Sequence, residues 1–473
     1  MTDKTSAAAD NTSAAAGNAA HDDADAGTRS TSPAAVRAGA HVVVIGGGYA
    51  GVMAANRLTR RDDVTVTLVN PRPVFVPRLR LHQLVGGSHD AVVEYRDVLA
   101  DRVRLVVDGV TRIDAAARTV VLAEGGGTLS YDHLIYAVGS ASAAPRVPGV
   151  AEFSHSVATL EEARRLRSAM DATPASAPLT VVGGGPTGIE TAAELAQQGR
   201  RVTLVSGGTL GPYLHPRARR TAVKRLAHLG VTVLGASDTE GTEGSKGSEG
   251  AGGSQGSQGP EGARVVAVTR DAVHLGDGRT LPSAVTIWTA GFGVPDLAAR
   301  SGLSTDAAGR LLTDETLTSV DDERIVAAGD SAAPADRSFR MSAYAAGCLG
   351  AHAADTVLHR LAGERPEPVD LSFSAMCISL GRGSAVFQLA RKDDTALPLY
   401  VGGRAGAKLK EMSCEFSVKH LAKEAREPGS HSWPKGARGA EGAKGAEGAK
   451  GVGREPSAGA ERGELLTAAA VKS

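Results

Sequence analysis

The turn G-x-G-x-x-G occurs twice in this chain, each time between a β-branched run and an Ala/Leu-rich stretch. The first copy reads His41-Val-Val-Val-Ile-Gly46-Gly47-Gly48-Tyr49-Ala50-Gly51, the second Leu179-Thr-Val-Val-Gly183-Gly-Gly185-Pro186-Thr187-Gly188. In such a unit a strand enters a tight turn at the first glycine. The second glycine lets a phosphate approach the backbone, and the third lets the following helix close on the strand. Free N–H groups and the helix dipole at that N-terminus favour an anion. A single copy is weak evidence. Two copies, each followed by a helix and a second strand at βαβ spacing, predict a chain that holds two dinucleotides.

The pattern around them fills in an α/β plan. In the first unit the strand Val42–Ile45, helix Ala50–Arg60 and strand Val64–Val69 follow in order, with shorter strands at Val103–Asp108, Thr119–Leu122 and His133–Tyr136. The second unit repeats it with strand Leu179–Val182, helix Thr187–Gln198 and strand Val202–Val205, then strands at Val231–Leu234, Arg264–Val268 and Val285–Trp288. A late strand at Arg324–Ala328 and a long Ala-rich helix at Met341–Leu361 come next. Strands at Ser372–Ser379, Ala385–Leu389 and Pro398–Val401 precede a helix over Ala405–Ala425.

Composition separates folded from unfolded chain. Residues 1–40 are Ala, Asp, Ser, Thr and Gly without periodicity and are expected to be a disordered arm. Residues 238–262 are nearly all Gly, Ser, Glu, Thr and Gln, a long surface loop, and the Gly-Ala-Glu/Lys repeats near the end make 429–473 a low-complexity tail. With 52 basic and 52 acidic residues the chain has no field to attract nucleic acid. Cys348, Cys377 and Cys414 form no C-x-x-C pair, which argues against a dithiol centre and a metal site and suits a reducing compartment. The N-terminus lacks the apolar core of a signal peptide and no run approaches about 18 apolar residues. The expectation is a cytoplasmic protein, free or peripheral on the cytoplasmic face of a membrane.

Three features assign the two sites. The strand after each fingerprint helix ends where an acidic residue normally meets the adenosine ribose; here it ends at Asn70 and at Ser206. Asn70 can still hydrogen-bond a hydroxyl. Ser206 carries no charge to repel a 2′-phosphate, and no arginine follows to recruit one, so NADH and NADPH both stay open, with Gly188 leaning to NADH. Arg324-Ile-Val-Ala-Ala-Gly-Asp330 is a strand whose terminal carboxylate can reach a ribityl hydroxyl, which places FAD on the first fingerprint. Leu134-Ile-Tyr-Ala137-Val-Gly139 and Ile287-Trp-Thr289-Ala-Gly291 are strands ending in small-residue turns that let the chain pass close to a bound dinucleotide.

This order of motifs resembles the two-dinucleotide-binding flavoproteins of the pyridine nucleotide-disulfide oxidoreductase superfamily. Within them it is similar to type II NADH dehydrogenases and ferroptosis-suppressor-like quinone reductases, over roughly residues 41–425. The resemblance implies FAD on Gly46, Gly47, Gly48, Tyr49, Ala50, Gly51, Asn70, Val110, Ala137, Gly139 and Asp330. It implies a nicotinamide nucleotide on Gly183, Gly185, Pro186, Thr187, Gly188, Glu190 and Gly291. It also implies two Rossmann-like domains with the first split around the second: FAD domain 41–155 and 296–365, NAD(P) domain 156–295, and a small α+β C-terminal region 366–428. Two departures stand out. No cysteine pair precedes Cys348, against disulfide chemistry. The glutamines of Ala-Gln-x-Ala-x-Gln, which line the quinone pocket in type II dehydrogenases, are absent from Ala343-Tyr344-Ala345-Ala346-Gly347-Cys348, a segment closer to the ferroptosis-suppressor-like branch.

The resemblance implies hydride transfer from NADH or NADPH to flavin and then electron transfer to a small acceptor, with quinone favoured. A protein acceptor such as ferredoxin, or a low-turnover redox-sensing flavoprotein, are the alternatives. Glu190 either meets the nicotinamide ribose and relays a proton near the flavin, or only favours the positive end of its helix. Tyr344 and Cys348, four apart on one helix, either border the acceptor pocket or pack in an Ala-rich helix. Arg80 and His82 either reach the flavin or acceptor, or form a solvated helix start. On the helix Ala405–Ala425, Leu409, Met412, Phe416 and Leu421 with Lys408, Lys410, Lys419 and Lys423 either meet anionic lipid or pack on the body. Homodimerisation is a further expectation.

Overall fold

Runs of β-branched residues with no polar alternation form strands only when both faces are covered, and that is how the two central strands lie. In the computed structural model, which describes residues 39–143, 146–235, 263–335, 337 and 339–436, Ala40–Ile45 buries Val42, Val43 and Val44 completely. The expectations for residues 1–38, for the loop 238–262 and for the tail beyond 436 lie outside the described residues. The helices that build the site are α1 Tyr49–Leu58, α2 Leu81–Gly86, α3 Leu160–Asp171, α4 Pro186–Gln197, α5 Ala343–Ala362 and α6 Gly403–Arg426.

The first sheet has five parallel strands in the order Ile325–Ala327, His133–Tyr136, Ala40–Ile45, Val64–Asn70, Val103–Val107. The second repeats the plan with Ser154–Ser156, Val285–Trp288, Pro178–Val182, Arg201–Val205 and Thr232–Leu234. In both, the fingerprint strand is central, and the chain order reverses on its two sides. Ligands bind at the carboxyl ends of the strands beside such a switch point. An antiparallel pair, Ala141–Ser142 with Phe292–Gly293, joins the two crossings between the sheets.

The late strand Ile325–Ala327 completes the first sheet beside His133–Tyr136. It brings α5 onto α1, and the closeness of that crossing explains the helix's small residues: a Cβ on Gly350 would stand 2.2 Å from the Ala50 carbonyl oxygen. The capped helix α3, with Thr159 and Glu162 bonding reciprocally, has no counterpart in the sequence reading, nor have the short strands Ser154–Ser156, Ala272–Leu275 and Thr280–Pro282.

Three expectations about the C-terminal region need correction. Residues 429–436 are packed rather than loose tail: Trp433 Nε1 donates to the Asp370 carbonyl (3.0 Å), Gly436 N donates to Asp370 Oδ1 (2.9 Å), and His431 N to Glu424 Oε2 (2.7 Å). Docking at Ser372 and Phe373 also delays the first strand of the C-terminal sheet, which starts at Ala375. The helix α6 packs on α1 and on the sheet Ala375–Ser379, Ala385–Ala390, Ala396–Val401. Its buried face is Gly406, Lys410, Cys414, Leu421 and Glu424, so Lys410 is not part of a cationic flank, while Phe416 is exposed. No described helix is long and apolar enough to cross a membrane.

Candidate functional site: two cradles and a buried charge cluster

Each fingerprint folds into the same cradle. Gly46 and Gly183 take φ of +102° and +128°, where a side chain is strained. The third glycines close the helices on these turns: a Cβ on Gly51 would lie 1.7 Å from the Gly46 oxygen, and one on Gly188 1.9 Å from the Gly183 oxygen. The small-residue turns abut the same glycines, since a Cβ on Gly46 would meet the Ala137 oxygen at 2.3 Å and one on Gly183 would meet Thr289 Oγ1 at 2.4 Å. Gly139 and Gly291 continue those turns with φ of +71° and +85°.

By contrast the middle glycines, Gly48 and Gly185, have nothing within 4 Å of a built Cβ. Both are N-caps whose helices carry no acidic residue in the first turn and no side-chain cap. Unclaimed N–H groups therefore face open space that a side chain would fill, which fits a diphosphate. Pro186 at the start of α4 sits where no intrahelical donor is lost, with Thr187 beside it.

Asn70 serves the first cradle from below. Its Oδ1 accepts from Gly47 N (2.9 Å) and its Nδ2 donates to the Arg72 carbonyl (2.9 Å), while Tyr95 Oη donates to the Gly47 carbonyl (2.9 Å). Its amide thus fixes the loop while a second Nδ2 hydrogen and a second Oδ1 lone pair remain for a ribose hydroxyl. Ser206 is likewise engaged, donating to the Gly208 carbonyl (2.7 Å). Tyr49 is buried, edge-on to Phe75 with its hydroxyl 3.2 Å from Ser417 Oγ, and Ala50 lies against α5. Val110 packs half-buried on the core that includes Val43, Ile113 and Tyr136.

Asp330 stands at the carboxyl end of the late strand, within reach of the first cradle through Gly329, whose Cβ would be 2.9 Å from that of Ala50. Its Oδ2 accepts from Ser140 Oγ (2.6 Å); Arg78 Nη1 donates to the Ser140 carbonyl (2.9 Å) and lies 3.9 Å from the carboxylate. Burial raises the Asp330 pKa against these two partners. Asp330, Phe339, Met341 and Ala345 line one cleft. Arg78 and Ser140 went unassigned in the sequence because neither belongs to a motif.

The second feature is a buried charge cluster between α2, α4 and α6. Glu190, 7% exposed, places Oε1 2.8 Å from Lys410 Nζ and accepts from Ser379 N (2.9 Å); its Oε2 is 3.5 Å from His82 Nδ1. Burial pushes the Glu190 pKa up, but the Lys410 ammonium, helped by the Ser379 N–H, outweighs it and holds the carboxylate ionised. Its carboxylate is therefore directed at an ion pair, not spent on the helix end. Arg80 and His82 are also buried, which overturns the solvated helix start. Arg80 Nη2 donates to Glu411 Oε1 (2.5 Å), and Arg382 reaches the other Glu411 oxygen (3.3 Å).

Tyr344 turns away from this cluster. Its hydroxyl donates to the Ser372 carbonyl (3.0 Å) and its ring meets Phe373 edge-on at 6.0 Å. Cys348 is fully buried with Sγ 3.8 Å from His431 Nε2, and burial pushes its thiol up to about 12. Cys348 thus makes packing contacts, while the Tyr344 ring stays 40% exposed. Cys414 is raised to about 11, so neither buried thiol is a ready nucleophile.

Burial also pushes His82 and His352 down to about 4 from 6.5. Rings neutral in the fold but protonated when unfolded make unfolding take up protons, so their contribution is full above 6.5 and declines as pH falls towards 4. These two rings contribute a loss of about 2–3 kcal/mol per pH unit in that window, and His431, also pushed down to about 4, steepens it. Urea unfolding at a series of pH values reads the slope; a slope unchanged by His352→Gln counts against the assignment.

The family described as pyridine nucleotide-disulphide oxidoreductase matches residues 40–348. An NADH dehydrogenase-like protein of Mycobacterium tuberculosis is 30% identical over 364 residues, 73% of this chain and 87% of that one. A type II NADH:quinone oxidoreductase of the same organism is 28% identical over 399 residues, 74% of this chain and 79% of that one. Among solved structures, NDH2 from Plasmodium falciparum in complex with NADH shares the fold with a TM-score of 0.65 at 14% identity, over 84% of this chain and 99% of that one.

Proposed function

The chain belongs to the pyridine nucleotide-disulphide oxidoreductase family and is an NAD(P)H-dependent flavin oxidoreductase, and on that premise we propose that it passes electrons from NADH or NADPH to a quinone. The duplicated cradle carries this reading: two open helix N-termini at Gly48 and Gly185, each beside a switch point, suit two dinucleotides in one protein. When bound, FAD supplies the two-electron centre between nicotinamide and acceptor.

The chain's own part is holding and charge placement. Gly46, Gly48 and Gly51 with α1 hold one diphosphate, and Gly183, Gly185 and Gly188 with α4 the other. Asp330, kept in place by Ser140 and Arg78, offers its free oxygen to the polyol of the first dinucleotide. Glu190 and Lys410 set a fixed dipole in a water-poor interior, where it acts more strongly than in solvent.

Anaerobic mixing of the purified flavoprotein with NADH and with NADPH, followed by menadione, ubiquinone or ferredoxin, tests the reading. Bleaching by a nicotinamide nucleotide and fast reoxidation by a quinone is the expected result. Fast reoxidation by ferredoxin alone assigns a protein acceptor, and bleaching without turnover on any acceptor assigns a sensor.

A further inference from the structure

The chain between Asn70 and α2 carries the arginines Arg72, Arg78 and Arg80, and two of them are fully paired. Arg72 Nε and Nη2 each donate to Glu161 at 2.6 Å, and Arg80 Nη2 donates to Glu411 at 2.5 Å. Arg78 has no carboxylate within hydrogen-bond reach. Its Nη1 donates to the Ser140 carbonyl (2.9 Å) and to Ser140 Oγ (3.0 Å), while Asp330 Oδ2 stands 3.9 Å away and accepts from Ser140. The Arg78 Nε and Nη2 hydrogens meet no acceptor among the described residues. Its pKa also falls where those of Arg72 and Arg80 rise: burial lowers it, and Asp330 and Glu162 make good only part of the loss. A guanidinium 33% exposed and bonded only to neutral oxygens is an under-compensated cation.

Its place says which anion it suits. Ser140 follows Gly139 in the turn that abuts Gly46, and Gly329, just before Asp330, lies against Ala50 of α1. Arg78 thus stands between the two segments that flank the first cradle. The cradle brings no free cation of its own. From Ala40 to Leu58 the only arginine or lysine is Arg57, which is bound to Asp355 and Glu424. The N-terminus of α1 has no side-chain cap, and a dipole worth about half a charge does not balance a diphosphate, which carries a charge on each phosphate.

We propose that Arg78 is a binding residue for the first dinucleotide, the free edge of its guanidinium meeting the diphosphate held on α1. This rests on the reading of the first cradle as the FAD site. A planar fork suits two phosphate oxygens, and Ser140 fixes the fork from its other edge. The loop is then pinned at three arginines: Arg72 on Glu161 of α3, Arg78 on the cofactor, Arg80 on Glu411 of α6.

The full-length wild type, Arg78→Met and Arg78→Lys test this. Each is stripped of flavin, titrated with FAD, and unfolded in urea with and without it. In R78M the Kd for FAD rises by about 10–100-fold, the loss expected for charge-assisted bonds to a phosphate. R78K, which keeps the charge and loses the fork, rises by about 3–10-fold and carries the test if R78M does not fold. Stripped R78M is at least as stable as stripped wild type, and the stabilisation that FAD adds shrinks in step with its Kd. Oxidised and reduced FAD lose affinity equally to within about twofold, or about 9 mV in midpoint potential at about 30 mV per tenfold. A Kd unchanged to within about twofold in both variants overturns the assignment, as does stripped R78M unfolding at lower urea than stripped wild type, which makes Arg78 structural. So does a potential lowered by about 30 mV or more with oxidised FAD still bound tightly, which puts the cation at the flavin ring. Wild-type chain that takes up no FAD overturns instead the reading of the first cradle.

Discussion

Gly51→Val gives a colourless protein. The added Cβ would stand 1.7 Å from the Gly46 carbonyl oxygen, a backbone atom with nowhere to go. Gly46 is fixed at φ +102° and is itself pressed on the Ala137 oxygen, so the helix must lift off the strand. Overpacking of this kind costs about 3 kcal/mol, and here it also pulls the N–H groups of α1 away from the diphosphate. The ratio of flavin to protein after purification is expected to fall by about tenfold or more. Gly188→Val is the matched control: its Cβ would meet the Gly183 oxygen at 1.9 Å, in the second cradle only. That variant keeps its flavin and loses bleaching by NADH. Full flavin in the Gly51 variant would show that the first cradle is not where FAD sits.

Lys410→Met strands a carboxylate. Lys410 and Glu190 are 2.8 Å apart with side chains 7% and 9% exposed, and removing one partner of such a pair costs about 3–5 kcal/mol. The sign of the pH dependence should change as well. In the wild type the depressed Glu190 pKa contributes stability above the ordinary carboxylate value, lost as pH falls through the folded one. Without Lys410, burial dominates and raises that pKa, so the variant is stabilised by acid across the carboxylate range, where Glu190 becomes neutral. Lys410→Met with Glu190→Gln recovers most of the loss. Urea unfolding of the wild type and the two variants at two pH values reads all of this; a double variant no more stable than the single one would mean that Lys410 acts through packing.

The cradles are legible in the sequence because every part of each lies within one βαβ unit: glycines, β-branched strand and following helix are neighbours in the chain. The charge cluster is not, because burial there is decided by distant segments. Ser379 reaches Glu190 only after the C-terminal sheet has docked on α4. Lys410 looks like a cationic flank when the apolar residues Leu409, Met412, Phe416 and Leu421 are taken as the inner face. The stripe that is buried, Gly406, Lys410, Cys414, Leu421 and Glu424, has the same helical spacing but polar members. Arg80 and His82 misled for the same reason, charge being taken as a sign of solvent. A signal was present: Leu81, Leu84 and Val85 interleave with them, and so many apolar neighbours rarely belong to an exposed turn. Trp433, the one large apolar residue in a stretch otherwise resembling tail, marked the docked segment 429–436.

The split sheet has a consequence for synthesis. The strand His133–Tyr136 acquires its outer neighbour, Ile325–Ala327, only after the whole second sheet has been translated. Until then the nascent chain carries an open edge of Leu134, Ile135 and Tyr136, residues that end up wholly covered and that invite pairing with another chain. Asp330 follows that last strand while Ser140, its partner, emerged long before. The Ser140–Asp330 contact therefore forms late in synthesis, and cells making this protein faster than they can shield that edge are expected to accumulate it as aggregate.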